Sequence, residues 1–430
     1  MENSLCLATS LPPELLRQIF RSLRSPFAVQ ADPLLPRLAL VCKTWLPFVQ
    51  EELYRGAYLD TTTGWGVGAE AIVSDGSRQF VEMVGKRDAL AAHVQTIHIG
   101  SLATSTSALT DAVCTLLACC PNVTALEDLR TTFVWKDDEI SLLSVLSSTR
   151  PLQLRRLKRP FSITHAETEL LPLFAALAEL EDVVPFPLPP LSEPQPSFHL
   201  QRLVFSRHVD IRVAIGQPHL LWLAGNSFSS LTHLSLAFNK ASSTPFDLSP
   251  LVNLSFLALT TASSMTDNQK DHLEAAFPLM LDTLASAQQL PFLRSFLLDQ
   301  AWSTVTLNCA TMYRALLEAL PPSVRDLRLN GTAVESVEGA APVFDGLGGS
   351  MRNLVLSDLH MTRGLEKVAA FEELERKAGE KGVVLLFASG ETREQVEQEA
   401  WTPQPRPYCS TCYGSDDGEE EDDEPGDASE

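Results

Sequence analysis

Leu231-Thr232-His233-Leu234-Ser235-Leu236-Ala237-Phe238-Asn239 has the most informative spacing in the chain. Its leucines stand three and then two residues apart. Because alternate residues of a strand point to opposite faces, Leu234 and Leu236 share one face. An apolar residue recurs in the place of Leu234 at Ile97, Leu126, Leu157, Val183, Leu203, Leu257, Phe296, Leu327 and Leu354. Successive copies lie 20 to 39 residues apart, which predicts an irregular repeat.

The nine residues resemble the leucine-rich-repeat template Leu-x-x-Leu-x-Leu-x-x-Asn and match it at every fixed position. Between the copies, helix-like segments cover residues 269–287, 309–320 and 364–377, and residues 383–388 are predicted to form the last strand. One strand and one helix cannot bury their apolar faces alone, so stacked neighbours supply the core. The sequence therefore predicts an α/β fold over residues 61–390: an irregular leucine-rich-repeat solenoid with parallel strands inside and helices outside.

The poorest copies are those at Leu126, Leu157 and Val183, where a polar residue or proline follows in place of an apolar one: Asp128, Arg159 and Pro185. An ordinary α/β domain with leucine-rich parallel strands is the alternative. A nucleotide-binding version of that fold needs a glycine-rich turn after a strand. The best candidate, Gly346-Leu347-Gly348-Gly349, has Met351 where a third glycine is required. The solenoid is therefore the favoured interpretation.

Residues 11–54 have a different pattern, which predicts two short amphipathic helices. Pro12 and Pro13 suit the opening turn of the first helix, because N–H groups there have no partner within the helix. One face of that helix carries Leu11, Leu15, Ile19 and Leu23. A second helix after Pro36 carries Leu38, Val41, Cys42, Trp45 and Val49. Helices this short need a partner surface, either in their own domain or on another protein.

The sequence Leu11-Pro12-x-Glu14-Leu15-Leu16-x-x-Ile19-Phe20-x-x-Leu23, followed by Leu38-x-Leu40-Val41-Cys42-Lys43-x-Trp45, resembles the F-box. F-boxes attach substrate receptors to the adaptor subunit of cullin-RING ubiquitin ligases. The resemblance implies an F-box over residues 1–60. It also implies adaptor contacts at Leu11, Pro12, Leu15, Ile19, Leu23, Leu38, Val41 and Trp45. The connection over residues 24–36 is longer than usual for the family, and its Pro26 and Pro33 suggest a looped insertion.

The chain has a formal net charge of −21, and ten acidic residues fall within residues 416–430. Such a charge argues against nucleic acid as a ligand, because a phosphate backbone selects a basic face. No apolar stretch approaches the length of a membrane span, and the first residues lack the pattern of a signal peptide, so we expect an intracellular, soluble protein. Residues 391–430 are predicted to be a disordered, Pro-rich and acidic tail. Such a tail is usually a solvating appendage, and a weaker alternative is an arm for a basic partner.

No spacing typical of a hydrolase, a metalloprotease or a nucleotide-binding enzyme occurs in the chain. Cys409 and Cys412 are the one pair with metal or redox spacing. Zinc needs four ligands, however, and no second pair lies near in sequence. We therefore expect no catalytic residue, no metal and no cofactor. The function predicted from the resemblance is that of a non-enzymatic substrate receptor that links an unknown protein target to the adaptor and, through it, to cullin. The alternative is a non-catalytic scaffold protein with an F-box-like hairpin and no role in ubiquitylation.

The register of the repeat predicts where a target could bind. If Leu234 and Leu236 point inward, the outward positions of later strands include Phe256, Leu297 and Arg328. Phe256 and Leu297 lie on consecutive strands, about 5 Å apart if those strands pair directly. An apolar pair beside an arginine is typical of a binding hot spot. The alternative is that a flanking loop or the C-terminal segment covers these side chains.

Overall fold

The structure is a computed structural model that describes residues 11–22, 34–63, 71–100, 107–128, 153–162, 174–184, 195–205, 216–238, 242, 244–261, 269–300, 310–330, 349–357 and 365–387. The proline-rich stretch at residues 185–194, Leu23 and the whole of residues 391–430 lie outside these ranges. Within them, no helix is both long enough and apolar enough to cross a membrane.

The described residues of the helical unit (residues 11–54) form three helices: α1 (Pro13–Ser22), α2 (Leu34–Leu38) and α3 (Leu46–Tyr54). The first begins as predicted, with the Leu16 N–H donating to the Pro12 carbonyl at 3.2 Å. The single second helix predicted after Pro36 is wrong, because turns at residues 39–41 and 43–45 separate α2 from α3. Pro47 explains the break: it has no N–H to donate to the carbonyl of Lys43, as a continuous helix would require.

The helical unit has a small core of its own. Leu16 and Phe20 of α1 and Val49 of α3 are buried there. The Phe20 and Trp45 rings meet edge to face with centroids 5.5 Å apart. Arg17 lies over the Phe48 ring at 5.3 Å and forms an ion pair with Glu51 at 3.1 Å. The unit therefore folds around residues that stand one place after the predicted stripe of Leu15 and Ile19.

The rest of the described chain is built on one sheet of 12 parallel strands. In spatial order these strands are β1 (Gly56–Leu59), β4 (Thr96–Ile99), β5 (Ala125–Asp128), β6 (Arg156–Ser162), β7 (Glu179–Val184), β8 (Arg202–Phe205), β9 (His233–Phe238), β10 (Phe256–Thr261), β11 (Ser295–Gln300), β12 (Asp326–Asn330), β13 (Asn353–Ser357) and β14 (Val384–Phe387). Between β1 and β4 in sequence, β2 (Thr61–Thr63) and β3 (Ala71–Val73) form an antiparallel pair. The first strand of the large sheet thus lies within residues 1–60.

The helices between the strands are α4 (Asp75–Gly85), α5 (Asp88–Ala91), α6 (Ser107–Cys119), α7 (Gln217–Ala224), α8 (Gln269–Ala287), α9 (Ala310–Glu318) and α10 (Leu365–Glu380). The three helices predicted in the later repeats are confirmed, the first of them to the residue. Residues from both strands and helices form one continuous core, for example Leu234 in β9 and Met280 in α8. Gly382, with φ of 69°, turns the chain from α10 into β14, a left-handed position that favours glycine. The fold is therefore an open α/β solenoid, as predicted.

The predicted register holds at every described copy but one. Ile97, Leu126 and Leu157 lie opposite one another, and so do Leu203, Leu234, Leu257, Phe296, Leu327 and Leu354. The assignment of Val183 is wrong, because Leu180 pairs with Leu157 on one side and Leu203 on the other. An extra residue in β7 shifts the register after Leu180 and brings Val183 opposite Phe205. With Leu180 in place, both neighbouring intervals are 23 residues, from 157 to 180 and from 180 to 203.

Polar side chains in the turns before the strands tie successive repeats together. The residue four places before the central apolar position donates to a carbonyl of the preceding repeat. Examples are Asn122 to Ala92 at 2.7 Å, Ser230 to Leu200 at 2.8 Å, Asn253 to Ser229 at 2.6 Å and Ser323 to Leu290 at 2.9 Å. Phe292 takes this place before β11, and it is 52% exposed. Hydrogen bonds therefore join successive repeats at this edge of the sheet, and the Phe292 ring is exposed there.

Candidate functional site

Exposed apolar residues are concentrated in the helical unit. Of ten exposed large hydrophobic residues in the described chain, five lie there: Leu15, Ile19, Leu40, Val41 and Leu46. Leu15 and Ile19 are 45% and 44% exposed and stand four residues apart on α1, so they lie on one face. Their neighbours Leu16 and Phe20 fill the core. Helix α1 thus has two apolar stripes, one buried and one facing outward.

The structure divides the eight predicted adaptor contacts into three groups. Pro12, Leu15, Ile19 and Val41 are exposed. Leu11, Leu38 and Trp45 are only partly buried and pack against the core of the helical unit. Leu23 lies outside the described residues. Leu40 and Leu46 are exposed residues that the sequence reasoning missed, although Leu40 belongs to the quoted motif.

The helical unit is joined firmly to the sheet. Helix α3 contacts β1 and α5, and the Tyr54 ring stacks on Phe80 of α4 with centroids 6.0 Å apart. Glu52 at the end of α3 is buried, and Arg55 and Arg21 lie 3.2 and 3.5 Å from its carboxylate. A buried carboxylate needs such cationic partners. The orientation of the exposed stripe is therefore fixed relative to β1.

We call the side of the large sheet that carries the outward-pointing residues the strand face. Its residues alternate with buried ones in β4 and β8, whereas Ala237, Ala258 and Thr260 on the same face are buried. In the later repeats it includes Phe256, Leu297 and Arg328, as predicted from the register. Phe256 and Leu297 are half-buried and Arg328 is exposed. These three residues remain the predicted target-binding site.

The pairing of the strands changes the detail of this site. Leu297 lies directly opposite Arg328 in β12 and Ala258 in β10. Phe256 lies opposite Ser295 instead, so it is displaced from Leu297 by two residues along the strand. The separation of about 5 Å expected for directly paired residues is therefore wrong for Phe256 and Leu297. The Phe256 ring stacks on His233, with centroids 5.7 Å apart and ring planes at 25°.

The earlier strands carry a network of charged residues on the same face. Glu127 in β5 lies 3.0 Å from His98 and 3.1 Å from Arg156. Arg156 also lies 3.3 Å from Glu179 and 3.2 Å from Glu181, and Arg202 approaches Glu181 at 2.9 Å. The Glu181 side chain is only 8% exposed. From β4 to β8, opposite charges thus face one another across the strands.

The pKa directions on this face follow from its contacts. The hydrogen bond from His98 lowers the pKa of Glu127 and outweighs its burial, with Arg156 acting in the same direction. Burial lowers the pKa of His233, and the nearby Arg202 adds to this effect. Burial raises the pKa of Tyr58, with the charge of Asp60 contributing. The network therefore favours charged Glu127 and neutral His233.

The described residues offer little for catalysis or metal binding. They contain no group of three or more His, Cys, Asp or Glu residues arranged to hold a metal ion. The Cys119 and Cys120 sulfurs lie 3.6 Å apart, and burial raises the pKa of Cys120 to about 12. A thiol with such a pKa is not an activated nucleophile at neutral pH. Cys409 and Cys412 lie outside the described residues.

Comparison with known proteins gives a family match for the helical unit. Residues 8–60 match the F-box-like family model. No curated protein matches the chain. Among solved structures, a protein from Bacteroides fragilis is 13% identical with a TM-score of 0.34, over 79% of this chain and 77% of that one. Internalin C2 from Listeria monocytogenes is 12% identical with a TM-score of 0.25, over 66% of this chain and 90% of that one.

A leucine-rich-repeat protein from Leptospira interrogans is 10% identical with a TM-score of 0.21, over 69% of this chain and 91% of that one. The chain thus joins an F-box-like helical unit to an open α/β solenoid. Units of both kinds are typical of proteins that bind other proteins.

Proposed function

We propose that this chain is a non-catalytic substrate receptor. Its helical unit docks on the adaptor subunit of a cullin-RING ubiquitin ligase, and its strand face holds a protein target. One observation carries the proposal: the segment that matches the F-box-like model leaves Leu15 and Ile19 exposed on one face of α1. Exposed apolar side chains on a folded helix favour a protein interface over a solvated surface.

Such a receptor performs no bond chemistry of its own. It acts by proximity, because holding a target lysine near the ubiquitin-carrying enzyme raises the effective concentration of the reacting groups. Proximity requires a fixed distance between the two docking surfaces. The packing of Tyr54 on Phe80 supports this role, because it fixes the helical unit against the first repeats.

The later part of the strand face is the proposed target site. Leu297 presents a half-buried apolar side chain directly opposite the exposed Arg328, and Phe256 lies one strand away. Apolar anchors beside an arginine are typical of residues that dominate binding energy. An arginine guanidinium can also hold an acidic or phosphorylated group through two hydrogen bonds.

Adaptor binding can be tested with the double variant Leu15→Ser, Ile19→Ser. It removes the exposed stripe and leaves the core residues Leu16 and Phe20 in place, so we expect adaptor affinity to fall at least about tenfold. Leu221→Ser is a matched control, because Leu221 is 41% exposed on a solenoid helix. Titration calorimetry with purified adaptor measures the affinity.

Mass spectrometry of the purified tagged wild-type chain complements this measurement. A receptor brings down both the adaptor and a cullin. Unchanged adaptor affinity in the double variant would refute the F-box assignment. Wild-type purification without adaptor or cullin would favour the scaffold alternative.

Target binding can be tested with Phe256→Ser, Leu297→Ser. We expect this variant to keep its fold and its adaptor but to lose the proteins that co-purify as targets. Val204→Ser is the control, because Val204 has a similar half-buried position on the strand face in β8. Unfolding of the double variant would show that these residues belong to the core and that the site is wrong.

A further inference from the structure

Three arginines form a row at the edge of the sheet where the strands begin. Arg294, Arg325 and Arg352 each stand two residues before the central apolar position of β11, β12 and β13. The Arg325 N–H donates to the Arg294 carbonyl at 2.8 Å, and the Arg352 N–H donates to the Arg325 carbonyl at 2.8 Å. The three residues, which we call the arginine row, are therefore direct neighbours on consecutive strands, about 4.8 Å apart.

The arginine row is unusual within its own ladder of backbone hydrogen bonds. That ladder begins at Arg55 and continues through the earlier repeats at Gln95, Thr124, Arg155, Ala178, Gln201, Thr232 and Ser255. Six of these eight residues are uncharged, and the two arginines, Arg55 and Arg155, are not neighbours in the ladder. The fold thus does not require arginine at this position, and only the last repeats concentrate it.

The guanidinium groups of the arginine row have no carboxylate partner within the described residues. All three side chains are exposed, and the ion pairs of the described chain involve other arginines. The nearest acidic residue along the chain, Asp326, instead accepts hydrogen bonds from Ser295 at 3.4 Å and Asn353 at 2.6 Å. Like charges directly opposite each other on neighbouring strands repel, so the row favours an added anion.

We propose that the arginine row binds an acidic segment and that its occupant is the acidic end of this same chain, residues 416–430. Charge complementarity favours this occupant. Ten of those 15 residues are acidic and none is basic, in a chain whose formal net charge is −21. Residues 419–424 are six consecutive acidic residues, so carboxylates face the row in any register of an extended segment.

The position of the last described strand places the occupant within reach. The Val384 N–H donates to the Arg352 carbonyl at 2.8 Å, so β14 begins beside the arginine row. From its end at Phe387, 28 residues (388–415) lead to Asp416. A random coil of that length has an average end-to-end distance of about 30 Å, whereas the row is only about 10 Å wide. Tethering at this length gives a local concentration of the order of millimolar.

The inference does not depend on adaptor binding, because the arginine row lies on the last repeats and the adaptor surface lies on α1. Its consequence is competition: any acidic partner that uses the row must displace residues 416–430. The phenyl ring of Phe292, two residues before Arg294 and half exposed, adds an apolar neighbour to the row.

A labelled peptide of residues 416–430 tests the proposal on the full-length chain. In one form of the chain, the ten acidic residues of this segment are replaced by Asn and Gln. Fluorescence anisotropy should show that the peptide binds this neutralised form and that raising the salt from about 50 to about 200 mM weakens the binding. The wild-type chain should bind the peptide at least about tenfold more weakly, because its own segment competes.

Substitutions locate the binding site. Arg294→Gln, Arg325→Gln, Arg352→Gln in the neutralised form should abolish binding of the peptide. The matched control removes three exposed positive charges elsewhere, with Arg78→Gln, Lys86→Gln, Arg87→Gln. A second comparison uses Arg325→Gln and Arg155→Gln, because Arg155 stands at the same position in an earlier repeat. The triple control and Arg155→Gln should both bind the peptide as the neutralised form does.

Three outcomes would overturn the proposal. Failure of the peptide to bind the neutralised form shows that the row does not take acidic segments. Equal binding to the arginine variant and its control shows that binding lies elsewhere. Equal binding to the wild-type and neutralised forms shows that residues 416–430 do not occupy the row, which is then a site for an acidic segment of another protein.

Discussion

The two halves of the strand face use the same backbone in different ways. From β4 to β8, the outward positions include charged residues that pair across the strands, with Arg156 within 3.3 Å of Glu127, Glu179 and Glu181. From β9 to β13, the outward positions hold the stacked His233 and Phe256 and the opposed Leu297 and Arg328. The inward residues of both halves are alike, because they belong to one core.

This difference shows which half is suited to binding a partner. A ligand at the first half would have to disrupt charge pairs that are already formed across the strands, and breaking a largely buried pair is costly. A ligand at the second half only needs to cover half-exposed apolar surface, which is favourable. The first half therefore contributes to the stability of the solenoid, whereas the second half is where we propose that a target binds.

The largest expected effect tests the division between inward and outward residues. Leu298 is 2% exposed and its neighbour Leu297 is half-buried on the strand face. We expect Leu298→Ala to lower the free energy of unfolding by about 3 kcal/mol and Leu297→Ala by less than about 1 kcal/mol, since only the first opens a cavity. Urea unfolding followed by circular dichroism measures both. Similar losses in the two variants would show that Leu297 is a core residue.

The spacing of leucines was sufficient to predict the solenoid, because inward positions must be apolar in every repeat. It failed at Val183, where an extra residue in β7 separates Leu180 from the next inward side chain. Such a bulge changes the register without changing the composition, so the spacing alone cannot locate it. The break between α2 and α3 could have been found from Pro47, which cannot donate to the turn before it.

The candidate surfaces were predictable only in part. The motif of the helical unit indicated Leu15 and Ile19, but it did not indicate that Leu16 and Phe20 form the competing, buried stripe. The outward positions of single strands followed from alternation. The opposition of Leu297 to Arg328 rather than to Phe256 depends on strand register, which is set by pairing between distant segments.

The second prediction concerns the charged residues in the first half of the strand face, from β4 to β8. Glu181 is buried and accepts hydrogen bonds from Arg156 at 3.2 Å and Arg202 at 2.9 Å. We expect Glu181→Gln to lower the free energy of unfolding by about 2 kcal/mol, less than for a fully buried pair because both arginines are partly exposed. Glu179→Gln is the control. Its side chain is 39% exposed, so we expect a loss below about 1 kcal/mol. Equal losses would mean that burial does not distinguish the two carboxylates.

The third prediction is that the contribution of Glu127, in the first half of the strand face, to the stability of the chain depends on pH. The pKa of Glu127 is lower in the folded chain than its usual value of 4.5, mainly because His98 donates a hydrogen bond to it. Glu127 therefore takes up a proton more readily in the unfolded chain than in the folded chain. This contribution to stability is complete above pH 4.5 and is lost as the pH falls through the lower folded pKa. We expect Glu127→Gln to cost of the order of 1 kcal/mol at neutral pH and almost nothing in strong acid.

Urea unfolding of the wild type and Glu127→Gln at a series of pH values checks this sign. A difference between the two proteins that stays constant from neutral pH into strong acid would contradict it. His98→Ala is a useful comparison, because it removes the donor and leaves the carboxylate in place. That variant should show a weaker pH dependence than the wild type.

The fourth prediction, with the smallest expected effect, tests whether residues 391–430 cover the second half of the strand face. If they do, Phe256 and Leu297 are not available for a partner. We expect truncation after Gly390 to lower the unfolding midpoint by no more than about 2 °C, because Pro-rich and acidic segments bury little surface. Any such loss should disappear at about 1 M salt, where the contact with the arginine row is screened. A loss of many degrees that persists in salt would mean that apolar residues, such as Trp401, pack on the solenoid. The difference between the two halves would then reflect a covered surface rather than an open one.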